Sequence, residues 1–199
     1  NHRSSLPRLP DDLLTTADLK NPYAHYDQEM LYACLKRMKS VKPIGSRSNY
    51  SNFGVGLLGH VLGRIAGTDY HTALKERVLI PLGMLNTRTT SSDEPAALLA
   101  TAHTRKNKPT NHWDFTEVTV AAGGVRSSLS DMLKFLRAHV DPATSELEQP
   151  ILLMREPSAL PDYAGRAGWI GAMLPLAYVV VLAVYMTGMF GWQWLSQVG

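Results

Sequence analysis

Cysteine is nearly missing from this chain. Cys34 stands alone among 199 residues, so an intrachain disulfide is excluded. It lies beside Leu31, Leu35 and Met38 at helical spacing, the setting of a buried, inert thiol. Charge is missing from one end. The 19% of residues that are charged all lie at or before Arg166, so the chain joins two different materials. A strong excess of either sign is also missing. The net charge of +3 is too mild to serve a nucleic-acid-binding surface. Two basic clusters, Lys36, Arg37, Lys39, Lys42 with Arg47 and Arg105, Lys106 with Lys108, lack aromatic residues at a stacking rhythm and read as solvated faces. No nucleic-acid partner is expected. Metal motifs are absent as well: there is no H-E-x-x-H and no C-x-x-C, and the seven histidines are scattered. Neither a metal nor a cofactor is expected. A G-x-S-x-G elbow and a phosphate-binding loop are missing too. Asn1 is not an initiator methionine and no secretory leader follows it, which reads as a start inside a longer protein.

The 45% of residues that are hydrophobic support a real core. Residues 1–26, rich in Pro, Asp, Asn and Ser, read as an irregular surface segment. Asp27 to Lys39 places Met30, Leu31, Cys34, Leu35 and Met38 on one side of a helix. Ser51 or Asn52 caps a second helix that runs to about Ala66. Its apolar stripe is Val55, Leu58, Leu62 and Ile65, and its other face is Gly56, Gly59 and Gly63. Each mid-helix glycine costs about 1 kcal/mol relative to alanine, so something must pack closely on that face. A third helix, capped by Thr68 or Asp69, reaches Val78 before Pro81 and Gly83 end it. Residues 86–112 read as loop and 113–120 as a short strand. After the turn at 121–124, Ser128 or Ser130 caps a helix with Met132, Leu133, Phe135, Leu136 and Val140 inward. A weaker helix over about 144–155 is disturbed by Pro150.

From Trp169 to Trp194 the chain is uncharged for long enough to span a bilayer, with tryptophans at both ends. The boundary falls at 160/161. Residues 161–199 are expected to be a hydrophobic, membrane-spanning segment, although a buried core helix in a small soluble domain fits the same pattern.

Two clusters stand out: Tyr50-Ser51-Asn52 directly before the glycine-rich helix, and Ala121-Ala122-Gly123-Gly124 before the next amphipathic one. The stretch YSNFGVGLLGHVLGRIAGTDYHTALKERVLIPLGM (50–84) resembles the class C β-lactamases and penicillin-binding-protein-like serine hydrolases, as does AAGGVRSSLSDMLKFL (121–136). The opening NHRSSLPRLPDDL resembles their H-T-S-G-L-P segment, with Arg3 and Ser5 in place of the usual Thr and Gly. The resemblance holds in order through about residue 160. It implies a mainly α chain: the helical lobe of a β-lactamase/transpeptidase-like α+β fold, over residues 1–160 as an incomplete domain.

The resemblance also implies roles. In that family the serine of S-x-x-K attacks a carbonyl, assisted by its lysine. Tyr50 would be the general base or proton shuttle, since a neighbouring lysine cation favours phenolate. Asn52 would position a substrate amide, and Ser51, Gly123 and Gly124 would line the substrate site. Residues i and i+2 project together only on a non-helical backbone, which suits a loop before a cap. The substrate of the parent enzyme would be a β-lactam, a D-alanyl peptide or an ester. This sequence departs from the family at two elements. No S-x-x-K occurs, and Thr72-Ala73-Leu74-Lys75 has only the spacing. No K-T-G or H-x-G follows the A-G-G region, and Met186-Thr187-Gly188 lacks the basic residue. The isolated chain is therefore expected to be inactive. The alternative is a membrane-anchored pseudoenzyme or a binding module for a peptide, glycan or protein. The family usually works outside the cytoplasm, so an extracytoplasmic lobe on a membrane is expected by resemblance.

Overall fold

The computed structural model describes residues 4–15, 17–38, 43–45, 49–89 and 99–155. Among them are five α-helices: α1 (Gln28–Arg37), α2 (Asn52–Ile65), α3 (Tyr70–Leu74), α4 (Leu129–Val140) and α5 (Glu148–Arg155). The 160/161 boundary and the apolar run lie outside the described residues. None of the described helices is long and apolar enough to cross a membrane.

Side-chain caps start the first four helices. Asp27, Ser51, Asp69 and Ser128 each accept a bond from the backbone N–H three residues on, satisfying a donor the helix cannot. The close of α2 is equally local. Gly67 takes φ +74°, its N–H donates to Arg64 O, and Thr68 N–H donates to Gly63 O. After α3 the chain widens into a π turn over Lys75–Leu79 and stops at Gly83, which takes φ +65°.

The chain forms two compact units. The first holds the described parts of Asn1–Lys75, Thr89–Ser91 and Trp113–Val125. Its core is Leu6, Leu13, Tyr23, Tyr26, Leu31, Cys34, Phe53 and Val118, with Phe115 stacked on Tyr23 at 4.7 Å between ring centroids. The second holds Glu76–Arg88 with the described parts of Ser92–His112 and Arg126–Gly199. There Asp131 is fully buried and accepts from Asn86 N–H (2.7 Å), Thr87 Oγ1 (3.0 Å) and Lys134 Nζ (3.0 Å). A buried carboxylate needs all of these partners, and together they tie the end of the Gly83 turn to α4.

Three expectations need correction, and a fourth, on α2, is met. Residues 113–120 form no strand: Thr119 and Val120 N–H both donate to Thr116 O, and the Thr119 hydroxyl accepts from Thr116 N–H. Short hydroxyl side chains that bond their own backbone favour turns over ladders, and a 3-10 turn (Val120–Ala122) follows. The stretch 86–112 holds the antiparallel pair β1 (Ala102–His103) and β2 (Pro109–Thr110), with Ala102 opposite Thr110. On α2 the close packing expected on the glycine face is found: Phe53, Gly56, Gly59, His60 and Gly63 are buried, and Leu58, Leu62 and Ile65 are exposed. On α4 Leu133 and Val140 are exposed, and Asp131 and Ala138 are the buried positions.

Candidate active site

The Tyr50–Asn52 turn is built by Ser51. Its backbone is extended (φ −142°, ψ 106°), and its side chain is buried. The hydroxyl accepts from Gly54 N–H (2.8 Å) and donates to Pro7 O (2.6 Å). Phe53 N–H donates to Arg8 O (3.1 Å), and Asn49 Nδ2 donates to Leu6 O (3.4 Å). The segment Ser4–Leu9 is thereby laid along the start of α2. A Cβ on Gly54 would stand 2.6 Å from Ser4 Oγ, so the two segments lie in close contact there. The first and second matched motifs thus form one structure, although 44 residues separate the partners Pro7 and Ser51.

Tyr50 lies on the exposed side of this turn, 40% accessible, with the Arg8 guanidinium 5.7 Å from its ring centroid. That places a fixed positive charge beside the phenol ring. Asn52 turns the other way, and its Nδ2 donates to Tyr23 Oη (3.0 Å). Burial raises the Tyr23 phenol above its ordinary value, and the Asn52 bond opposes that. The cavity beside Asn52, lined by Leu9, Leu13, Tyr23, Phe53 and Ala122, measures about 10 Å³ and has room for no more than one water.

Gly123 and Gly124 follow the 3-10 turn in the same unit. A Cβ on Gly124 would stand 2.5 Å from Val120 Cγ2 and 3.1 Å from Thr89 O, and one on Gly123 would stand 3.2 Å from Phe115 Cζ. Both positions are closely packed. Helix α2 links them to the turn. Its N-terminus carries Tyr50 to Asn52, and its glycine face seats Val118, Thr119 and Ala121.

A second group of polar residues gave no motif in the sequence. His60, on the buried side of α2, hydrogen-bonds Glu117 Oε1 through Nδ1 (3.0 Å) and Tyr32 Oη through Nε2 (2.9 Å). The one readable signal was a histidine standing on the glycine face. Asp11, Asp12 and Cys34 also bring ligand atoms within 4.8 Å of one another. Arg37 occupies that corner, 2.9 Å from Asp11 and 2.5 Å from Asp12, an ion pair on an exposed face. The guanidinium holds the Asp11 carboxyl below its usual range, and burial pushes the Cys34 thiol up.

A family model described as Beta-lactamase matches residues 1–194. Beta-lactamase-like protein 2 of Dictyostelium discoideum is 37% identical over 87 residues, 43% of this chain and 15% of that protein. A Beta-lactamase of Pseudomonas fluorescens is 26% identical over 107 residues, 54% of this chain and 29% of that protein. Among solved structures, a class C beta-lactamase in complex with cefoxitin is 24% identical with a TM-score of 0.61, covering 78% of this chain and 41% of that one. The Beta-Lactamase/D-Alanine Carboxypeptidase from Pseudomonas syringae is 21% identical with a TM-score of 0.56, covering 66% of this chain and 36% of that one. The chain therefore spans well under half the length of each of these proteins.

Proposed function

Because this chain belongs to the beta-lactamase family, we propose that it carries the helical-lobe part of that family's acyl-transfer site, with the Tyr50 phenol as its proton shuttle. The observation that carries the reading is the Ser51 clamp. It fixes the backbone directly after Tyr50 and leaves the phenol on the accessible side, with the Arg8 guanidinium over its ring. In this role the phenol oxygen takes the proton of an attacking hydroxyl. Asn52 is the candidate for positioning a substrate amide, once its bond to Tyr23 is exchanged for one to substrate. Substrates in this reading are β-lactams, D-alanyl peptides or small esters, in keeping with the names of the relatives. The nucleophile has to come from elsewhere, since no S-x-x-K occurs in the 199 residues.

The reading is tested in two steps. The 199-residue chain is incubated with a cephalosporin and its intact mass measured, and no acyl adduct on serine is expected. A stoichiometric serine adduct would overturn the inactivity of the isolated chain. Next, residues 1–155 replace the corresponding stretch of the Pseudomonas fluorescens Beta-lactamase, so that the rest of that protein supplies the nucleophile. The folded chimera is expected to acylate, and Tyr50→Phe to slow it by about a hundredfold or more. A folded chimera that never acylates, or one indifferent to Tyr50→Phe, removes Tyr50 from the role.

The uncharged run from Trp169 to Trp194 favours a second reading, a lobe held at a membrane on the extracytoplasmic side that binds a peptide, glycan or protein without turnover. Extraction at alkaline pH separates the two: a peripheral protein is released and a spanning one stays with the membrane. The family match runs through residue 194, which supports the first reading.

A further inference from the structure

His60 is 2% exposed, yet each of its ring nitrogens has a partner that reaches the surface. Glu117 has a side chain 44% exposed, and Tyr32 is 43% exposed. With Glu117 ionised and the His60 ring neutral, the partners assign the protons. An ionised carboxylate only accepts, so Nδ1 must carry a hydrogen and donate to Glu117. In the neutral ring Nε2 is then the acceptor, and the Tyr32 hydroxyl must donate to it. The order is hydroxyl, imidazole Nε2, imidazole Nδ1, carboxylate. That is the arrangement in which a base next to a nucleophile is itself oriented by a third group. Burial adds rigidity. The imidazole packs against the Tyr32 ring, with centroids 5.7 Å apart and planes at 65°, so it is held from both sides.

We propose that Tyr32, His60 and Glu117 form a nucleophilic centre of their own, in which the Tyr32 phenol takes an acyl group from an activated ester. The phenol oxygen adds to the ester carbonyl carbon as its proton passes to His60 Nε2, and Glu117 stabilises the imidazolium across Nδ1. Collapse of the tetrahedral adduct breaks the bond to the leaving alcohol. That alcohol leaves as its oxyanion and takes up the proton that His60 gives back through solvent. The net reaction converts ester and phenol into aryl ester and alcohol, with no oxidant, metal or other reactant. The centre shares no residue with the Tyr50 turn, so it stands whether or not the role proposed for Tyr50 holds.

The test uses the full chain with p-nitrophenyl acetate. N-acetyltyrosinamide is present in the same solution as a reference phenol, and peptide mass mapping follows acetylation site by site. Acetylation of Tyr32 is expected to run about tenfold or more faster than that of the reference. In Glu117→Gln, a change at a half-exposed position, the Tyr32 rate is expected to fall to about that of the reference while the circular dichroism is unchanged. His60→Gln should do the same. If that buried change unfolds the chain, Glu117→Gln carries the test alone. A Tyr32 rate no faster than the reference, or one that Glu117→Gln leaves intact, would overturn the proposal and leave the three residues as a structural bridge.

Discussion

Ser5 shows how much a single position discloses. The family segment that its neighbours resemble has glycine there, and Ser5 adopts φ +60°, the left-handed region. A side chain in that region costs about 1–2 kcal/mol. Glycine avoids this but loses about 0.5–1 kcal/mol through the freedom it has when unfolded. It would also give up the exposed bond from Ser5 Oγ to Pro43 O (3.0 Å). Ser5→Gly should therefore change stability little. Ser5→Ala keeps the strain and loses the bond, and should be less stable than Ser5→Gly by about 1 kcal/mol in urea denaturation. A Ser5→Ala chain more stable than Ser5→Gly by about 0.5–1 kcal/mol would show that the left-handed backbone at Ser5 is not strained. The departure at Ser5 was readable in the sequence by comparison with the motif, but its cost was not, because nothing in the residue order gives φ. Ser51 illustrates the reverse. Both Ser51 and Asn52 were suitable caps, and the choice fell to Ser51 because Pro7, distant in sequence, supplies the second partner.

Among elements, α2 was legible in extent and in the close packing on its glycine face. The exposure of Leu58, Leu62 and Ile65 was not legible, because periodicity weights side-chain size. Burial on α2 is decided instead by how closely another backbone can approach, and only the glycine face permits that. A Cβ on Gly59 would lie 2.2 Å from Ala121 Cβ, and one on Gly63 would lie 2.6 Å from Tyr70 N. The first overlap involves two short, stiff groups, so backbone must move. Overpacking of that kind costs about 1–3 kcal/mol, against about 1 kcal/mol gained in helix propensity. Gly59→Ala should lower stability by about 1–2 kcal/mol, and Ala121→Gly in the same chain should recover part of it. Thermal melts of the two single variants and the double variant measure the coupling. Additive losses would mean that the two positions do not press on each other. The segment 113–120 was misread for a related reason. Its alternation of apolar residues suits a strand, but Thr116 and Thr119 satisfy one another's backbone locally, and alternation carries no record of that competition.

For the whole molecule, the order of the matched segments was legible because each has its own residue signature. Their assembly was not, since it rests on bonds such as Ser51 to Pro7 that no local pattern announces. The same holds for titration, where burial and partners set the response to pH. On the acid side, Asp69 accepts from Thr72 N–H and Thr72 Oγ1, both at 2.8 Å, and the backbone bond holds its carboxyl below the usual range. A depressed carboxyl contributes stability that is fully present above its unfolded pKa, about 3.9, and is lost as pH falls through the folded value. Asp11 shifts the same way beside Arg37, but it is exposed and solvent screens its share. On the alkaline side, burial raises the phenols of Tyr23, Tyr26 and Tyr70. Above about pH 10 the unfolded chain has released protons that these folded phenols keep. Their contribution is therefore complete below that pH and declines as pH rises through the folded values. The expected profile is a plateau of urea midpoint between about pH 5 and 9, falling on both sides. Asp69→Asn should flatten the acid limb and leave the alkaline limb in place. The alkaline limb has its own readout, because phenolate absorbance from Tyr23, Tyr26 and Tyr70 should rise only together with loss of helical ellipticity. Ionisation of every tyrosine while the helices persist would show that water reaches these three rings in the folded chain.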